Sequence, residues 1–407
     1  MKREDLFKKY YKHKEHDYEI SDTLQYKDDT GREIDIAFVY SGRNRGKSFE
    51  ISSQAIADAY YDKKQFAYVR RHDATTYEVE QYFEDKKQFI LDMTDGKSIG
   101  ITKVKGKLFF YHIETDDNGD VRKVIDNECG YFFPLSTQAK FKSLQYPEVY
   151  NMIYEEVLTD ENYLNAEPEK LMNLYSTLRR HKLNFRCWLI SNLVSVVNPY
   201  SNSWGIHLAK VKAGEIKLSK LYLGTYDENG NEEYLLIGAH YLKDKAELTK
   251  EDIKKPRNRI KTGISSNKWD EIKLYPTVTL SYMKRENYPI LDTVVFEYDD
   301  LMFQGDIVEV PINLIQHYRD DEEPLNEKIP ILYIRRKTSE PHKDTRLYTN
   351  NVDRFNEYTT RGFAQIYVID EAIANLYKRG WVFGADNLTM NDFSRVFLQL
   401  RGMKIGL

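Results

Sequence analysis

The sequence predicts an α/β architecture. A mostly parallel sheet covered by helices is expected over residues 1–245, a linker domain over 246–275 and a smaller α+β domain over 276–407. Three observations carry this. Short apolar runs alternate with amphipathic stretches of helical period as far as about Tyr200. The first run leads into a basic, glycine-containing loop, "SGRNRGKS" at Ser41–Ser48, that opens a helix. Beyond Tyr200 the pattern changes to short β-type runs broken by Gly and Asn turns. Strands that alternate with helices pair in parallel, because a parallel neighbour is reached only by a crossover connection.

The elements follow in order. Ile34–Tyr40 reads as a buried strand and Ser48–Tyr61 as a helix with Ile51, Ala55, Ile56 and Ala59 on one side. Gln65–Arg71 is a second strand. Thr75–Met93 has Val79, Phe83, Phe89 and Ile90 at helical spacing and is expected to be one helix. Between residues 98 and 136, Lys105-Gly106 and "DDNGD" mark hairpin turns, which predicts a β-hairpin insert at a sheet edge. Val149–Glu156 is a third strand, Pro168–Arg180 a helix, and Phe185–Asn192 a fourth strand. The polar stretch with "KKPRNRIKTG" (Lys254–Gly263) reads as the linker. In the second half, Thr277–Tyr282, Thr293–Tyr298, Ile307–Val310, Ile331–Arg335 and Phe363–Val368 read as strands, and Asp370–Lys378 and Thr389–Arg401 as helices.

Composition narrows the function classes. Charged residues are 30% and the apolar set 41% of 407 residues, as in soluble globular chains. No run of about 18 apolar residues occurs, so no membrane span and no membrane partner is expected. The basic start lacks an apolar core and a cleavage site, so the chain is not expected to be secreted. With two cysteines, Cys129 and Cys187, a disulfide framework is excluded and a reducing cytoplasm fits. Net charge is −4. A nucleic-acid partner would therefore have to meet a local basic patch, or one face of a ring of subunits.

Ser41–Ser48 fits a phosphate-binding loop in which Ser41 stands at the first glycine position of the G-x-x-x-x-G-K-[ST] template. Backbone N–H groups of Ser41, Gly42, Arg43, Asn44, Arg45 and Gly46 would wrap phosphate oxygens. Lys47 supplies a point charge to the terminal phosphates. Ser48 offers a hydroxyl to Mg²⁺ at a helix N-terminus that favours anions. An exposed basic turn is the plainer alternative. "NMIYEE" ends a buried strand in two carboxylates: Glu155 for the metal shell through water, Glu156 as the base that aligns the attacking water. An acidic strand end facing solvent is the alternative there. Asn192 closes the next strand and would lie near the terminal phosphate if that strand neighbours the loop's own. Lys47 and Glu156 are expected to converge from the ends of two side-by-side strands. Arg70, Arg71, Lys254, Lys255, Arg257, Arg259 and Lys261 are candidate contacts for DNA phosphates, with a solvated surface as the default.

The loop "SGRNRGKS", "FAYVRR", "PLS", "IYEE" after "YPEV", and above all "RCWLISNLVSVVNPY" (Arg186–Tyr200) resemble the phi29-type phage DNA-packaging ATPases, or encapsidation proteins. The resemblance covers about Ile34–Tyr200 and is patchy after Tyr241. It implies a P-loop NTPase domain of the ASCE type followed by a linker and a vestigial, RNase H-like nuclease domain, with no nuclease activity expected. It implies ATP and Mg²⁺ as cofactors, and a homo-oligomeric, pentameric ring that drives double-stranded DNA into a procapsid. The ring's partners would be the portal, or connector, and in some members a structural packaging RNA, with the subunit in the host-cell cytoplasm and transiently docked at the portal vertex. Residue by residue, the resemblance places Lys47 and Ser48 at phosphate and Mg²⁺, Glu155 at the metal side and Glu156 at the catalytic carboxylate. Asn192 falls at the sensor, and Arg180 and Lys142 at positions that act in trans; slips to Arg179 and Lys140 are the neighbouring alignments. Another ring-shaped DNA translocase or helicase, and a non-hydrolysing portal-binding scaffold, are the competing functions. Asp292, Glu297, Asp299 and Asp300 are the carboxylates on which a nuclease would rest, whereas Arg335 sits where one would want an acid.

Overall fold

The computed structural model describes residues 1–11, 20–42, 45–159, 163–180, 182, 184–227, 230–242, 287–312, 328–342, 344–359, 364–366 and 369–401. The chain forms two compact units. Unit 1 comprises Met1–Leu158, Leu164–Asn192 and Pro199–Asp244; unit 2 comprises Thr159–Tyr163, Leu193–Asn198 and Lys245–Leu407. The expected linker over 246–275 and the strand at Thr277–Tyr282 lie outside the described residues, as do Arg43, Asn44, Lys254, Lys255, Arg257, Arg259 and Lys261.

The strands of unit 1 are β1 (Ile36–Ser41), β2 (Gln65–Arg70), β3 (Gly100–Val104), β4 (Lys107–Thr115), β5 (Val121–Pro134), β6 (Val149–Glu155), β7 (Arg186–Asn192), β8 (Ile216–Tyr226) and β9 (Glu232–Tyr241). They form one sheet in the order β3-β4-β5-β2-β6-β7-β1-β9-β8. Pairing is parallel from β5 through β9 and antiparallel at both edges. The helices are α1 (Arg3–Tyr11), α2 (Lys47–Tyr61), α3 (Thr76–Tyr82), α4 (Lys87–Met93), α5 (Glu167–Arg179) and α6 (Pro199–Trp204). All six residues of β1 are buried, as a strand covered on both faces requires. The insert at 98–136 is a hairpin edge, with Lys105 and Gly106 both at positive φ in its first turn.

The expected helix over Thr75–Met93 is instead α3, a 3₁₀ turn at Glu84–Lys86, and α4. Thr75 and Glu78 form a reciprocal capping box at its start. The break comes at Lys86. Its ammonium donates to the Tyr82 carbonyl at 3.1 Å, and its own N–H turns to the Phe83 carbonyl three residues back. A side chain thus takes the acceptor an α-helix would have used, and apolar spacing alone carries no sign of it.

In unit 2 the strands are β10 (Ile290–Tyr298), β11 (Leu301–Pro311), β12 (Lys328–Arg336), β13 (Arg346–Thr349), β14 (Ala364–Ile366) and β15 (Val382–Gly384), in the order β14-β13-β10-β11-β12-β15. β10, β11 and β12 are antiparallel, and β13 and β14 continue parallel to β10. Helices α7 (Val352–Thr359), α8 (Glu371–Lys378) and α9 (Asn387–Leu400) complete the described part. Its core joins Phe296, Phe303, Phe393 and Phe397. Among the described residues, no helix is long and apolar enough to cross a membrane.

Candidate nucleotide site

The C-terminal ends of β1, β7 and β6 meet at one cleft. It has a volume of about 330 Å³ and is lined by Lys47, Ser48, Arg70, Gln81, Tyr82, Asp85, Lys86, Glu155, Glu156, Ser191 and Asn192. The loop after β1 enters α2 through Gly46, whose φ of 77° lies in the left-handed region that glycine adopts without a Cβ penalty. Lys47 opens the helix. Its ammonium donates to Ser41 Oγ at 2.8 Å, to the Gly42 carbonyl at 2.9 Å and to Asn192 Oδ1 at 3.4 Å. Asn192 reaches it because β7 pairs directly with β1, with Ser41 opposite Asn192.

The strand order corrects one expectation. β6, which delivers Glu155 and Glu156, does not flank β1; β7 stands between them. The carboxylates and the lysine still line the same cleft, with the asparagine between.

The two carboxylates differ in environment. Glu155 is 6% exposed. Its carboxylate accepts from Tyr82 OH at 2.6 Å, and Ser48 lines the same cleft. Burial pushes its pKa up, and the bonds from Tyr82 and Ser48 and the charges of Lys86 and Arg70 oppose that shift. Glu156 has an exposed carboxylate and a φ of 57°, a left-handed conformation rare for a residue with a Cβ and costing of the order of 1–3 kcal/mol. It is held at both ends, its carboxylate by Arg70 and its carbonyl by Arg71 at 3.2 Å.

This corrects the reading of Arg70 and Arg71 as DNA contacts. Arg70 lines the cleft against Glu156. Arg71 is 8% exposed and bonds through Nε and Nη2 to the fully buried Glu167, with a further bond to the Val157 carbonyl. A DNA phosphate would have to displace a buried carboxylate to reach it. Arg45 is buried at the edge of the loop.

At the far end of α5, Arg179 pairs with Asp35 at 3.4 Å and lies over the ring of Tyr175. Arg180 is exposed, and its guanidinium donates to the carbonyl of the exposed Lys142 at 2.7 Å. Arg180 and Lys142 therefore share one surface.

In unit 2 the carboxylates in question have partners. Asp292 pairs with Arg346, Glu297 accepts from Thr349 at 3.0 Å, and Asp299 accepts from Asn350 at 2.8 Å. Arg335, on β12, faces Asp306 at 3.3 Å. Among the described residues, no three of the His, Cys, Asp and Glu side chains stand together as a metal-holding group.

Tyr82, Lys86, Gln81 and Asp85 were not singled out from the sequence. Tyr82 and Lys86 are one turn apart on a buried face, and nothing in their spacing separates cleft from core.

Residues 30–208 match the family model of the Podovirus DNA encapsidation protein (Gp16). The DNA packaging protein of Bacillus phage phi29 is 32% identical over 167 residues, which is 40% of this chain and 44% of that protein. That of Bacillus phage B103 is 31% identical over 173 residues, 42% of this chain and 47% of that protein. The chain thus spans about half the length of the curated relatives it matches. The crystal structure of the N-terminal domain of the DNA packaging ATPase from bacteriophage phi29 is similar at 26% identity and a TM-score of 0.34, covering 51% of this chain and 89% of that one. Over residues 30–208, the chain is similar to the Podovirus DNA encapsidation protein family.

Proposed function

We propose that the chain is an ATP-hydrolysing subunit of a motor that moves double-stranded DNA into a viral procapsid, working as a homo-oligomeric ring docked on the portal. The observation that supports this best is one cleft receiving Lys47, Ser48, Glu155, Glu156 and Asn192 from the ends of three consecutive strands. Unit 1 is then a P-loop NTPase. The antiparallel β10–β12 run extended by parallel β13 and β14 supports an RNase H-like reading of unit 2.

The donor set fits Mg²⁺. Ser48 and Glu155 both line the cleft, and both offer hard oxygens with space beside them for water. Ser48 would hold the ion directly and Glu155 through water. Bound there, Mg²⁺ neutralises phosphate charge. Lys47 binds the terminal phosphate in place of its present oxygen partners. Glu156 orients water and accepts its proton at the carboxylate, for which it must first leave Arg70. Asn192, bridging toward Lys47, reads whether the phosphate is present. Arg180 and Lys142 of one subunit face the nucleotide of the next, where a cation of this kind is worth about 10³-fold or more in rate.

Phosphate release measured with and without double-stranded DNA tests this. Wild type should show DNA-stimulated hydrolysis and Lys47→Ala should abolish it. An unchanged rate in Lys47→Ala would overturn the assignment. Strand separation without procapsid-dependent DNA uptake would point to a helicase instead.

A further inference from the structure

A chain of hydroxyls leads to Glu155 from Ser52, one turn beyond Ser48 on α2. Ser48 lines the same cleft as the carboxylate, while Ser52 Oγ lies 2.7 Å from the Tyr82 hydroxyl. Tyr82 in turn donates to Glu155 Oε1 at 2.6 Å. The Tyr82 ring is fixed from two sides: it stacks on Tyr68 with centroids 4.3 Å apart, and the Lys86 ammonium lies 4.4 Å from its centroid. Lys86 is itself 1% exposed and anchored to the Tyr82 carbonyl.

We infer that Tyr82 is a positioning residue for the metal-side carboxylate, fixing one oxygen of Glu155 so that the other is presented to the Mg²⁺ shell. The physical need comes from side-chain length. Where Glu rather than Asp holds a metal through water, the extra methylene adds a torsion that must be frozen for the carboxylate to point one way. Ser48 would meet the ion through an oxygen lone pair, so a rigid donor on a second element, Tyr82, is what fixes the carboxylate torsion. The Tyr82 O–H is held by Ser52, by ring stacking and by the buried lysine, so it loses little freedom in making the bond. Outer-shell partners of this kind govern metal affinity by orienting the ligands that touch the ion.

This rests on the ATPase reading, and the test separates the two. Mn²⁺ binding to the full-length protein with ADP is followed by electron paramagnetic resonance, and metal-free nucleotide binding is followed with a fluorescent ATP analogue. Tyr82→Phe keeps the ring and removes only the hydroxyl. It should weaken Mn²⁺ binding about 10- to 100-fold and leave metal-free nucleotide affinity unchanged. Ser52→Ala, one bond further out, should weaken Mn²⁺ binding less. In the Glu155→Asp background the shortened carboxylate loses reach to Tyr82, so adding Tyr82→Phe should change nothing further. Mn²⁺ affinity unchanged in Tyr82→Phe but lost in Glu155→Ala would overturn the positioning role. Mn²⁺ affinity unchanged in Glu155→Ala and Ser48→Ala would overturn the metal site itself. Should Tyr82→Phe fail to fold, Ser52→Ala carries the test, and wild-type Mn²⁺ affinity there would refute the relay.

Discussion

Glu167→Ala is the perturbation with the largest expected structural effect in unit 1. Glu167 opens α5 with no exposed surface. One carboxylate oxygen accepts from Tyr154 OH at 2.8 Å, Tyr200 OH at 2.7 Å and Arg71 Nη2 at 3.0 Å; the other accepts from Arg71 Nε at 2.8 Å and the Leu164 N–H at 2.9 Å. Burial and the Glu167 charge both push the Tyr154 and Tyr200 hydroxyls well above their ordinary pKa, so both stand as neutral donors to the carboxylate. Alanine would leave the Arg71 guanidinium buried without its counter-ion and both phenols without their acceptor. Removing one member of such a pair costs about 3–5 kcal/mol. At roughly 2–4 °C per kcal/mol for a unit of this size, the melting temperature should fall by about 6–20 °C. Tyr200→Phe, which removes one bond to a charged acceptor, should cost about 1.5–3 kcal/mol. Scanning calorimetry, with urea unfolding followed by Trp188 and Trp204 fluorescence, reads both. A Glu167→Ala transition within about 2 °C of wild type would show that the buried carboxylate is not what joins the ends of β2 and β6 to α5.

Three further outcomes are expected. Gly46→Ala forces a Cβ into a left-handed conformation worth about 1–2 kcal/mol of strain and should weaken binding of a fluorescent ATP analogue; an unchanged Kd would show that this loop is not the phosphate cradle. Arg70→Gln frees Glu156 and should raise hydrolysis in the absence of DNA relative to DNA-stimulated hydrolysis; an unchanged ratio would mean that the ion pair does not restrain the carboxylate. His112, paired with Glu114 and Asp126 on the β4–β5 hairpin, has its pKa raised by those hydrogen bonds, so its stabilisation is complete below about pH 6.5 and is lost as pH rises through the raised value; an NMR titration midpoint at or below 6.5 would refute the pairing.

Much of unit 1 was legible because its signals are local. The run Ile36–Ser41 is apolar throughout, Gly46 precedes a helix, and "IYEE" and "LISN" end strands in polar groups, so the chemistry-bearing residues mark their own positions. The roles of Arg70 and Arg71 were illegible because a charge pair in sequence looks the same whether solvated or buried. Glu156 for Arg70, and Glu167, 96 residues from Arg71, decide between them. Strand order was not legible: the sequence places Asn192 near the loop only on the condition that its strand neighbours β1, and the insertion of β7 between β1 and β6 depends on long-range pairing that periodicity does not encode.

The limits of unit 2 show the same physics more sharply. Leu193–Asn198 follows β7 directly, inside the segment "SNLVSVVNPY", yet belongs to unit 2. What holds it there is α9, some two hundred residues later. Asp392, fully buried, accepts from Ser195 Oγ at 2.5 Å and from the Val196 N–H at 2.9 Å and pairs with Arg336. Asn391 donates to the Val194 carbonyl at 3.0 Å, and Arg395 to the Val197 carbonyl at 3.0 Å. Arg395 also bonds the Thr159 carbonyl, in the short segment that follows β6. One helix of unit 2 therefore grips the residues that come immediately after both strands carrying Glu155, Glu156 and Asn192. A buried aspartate is stable only while those donors are in place, since burial works against its charge and Arg336 and the Ser195 and backbone donors offset it. A single domain boundary near residue 245 cannot express this. The chain passes into unit 2 at Thr159 and again at Leu193, shortly after β6 and directly after β7, and α9 holds both short segments by hydrogen bonds.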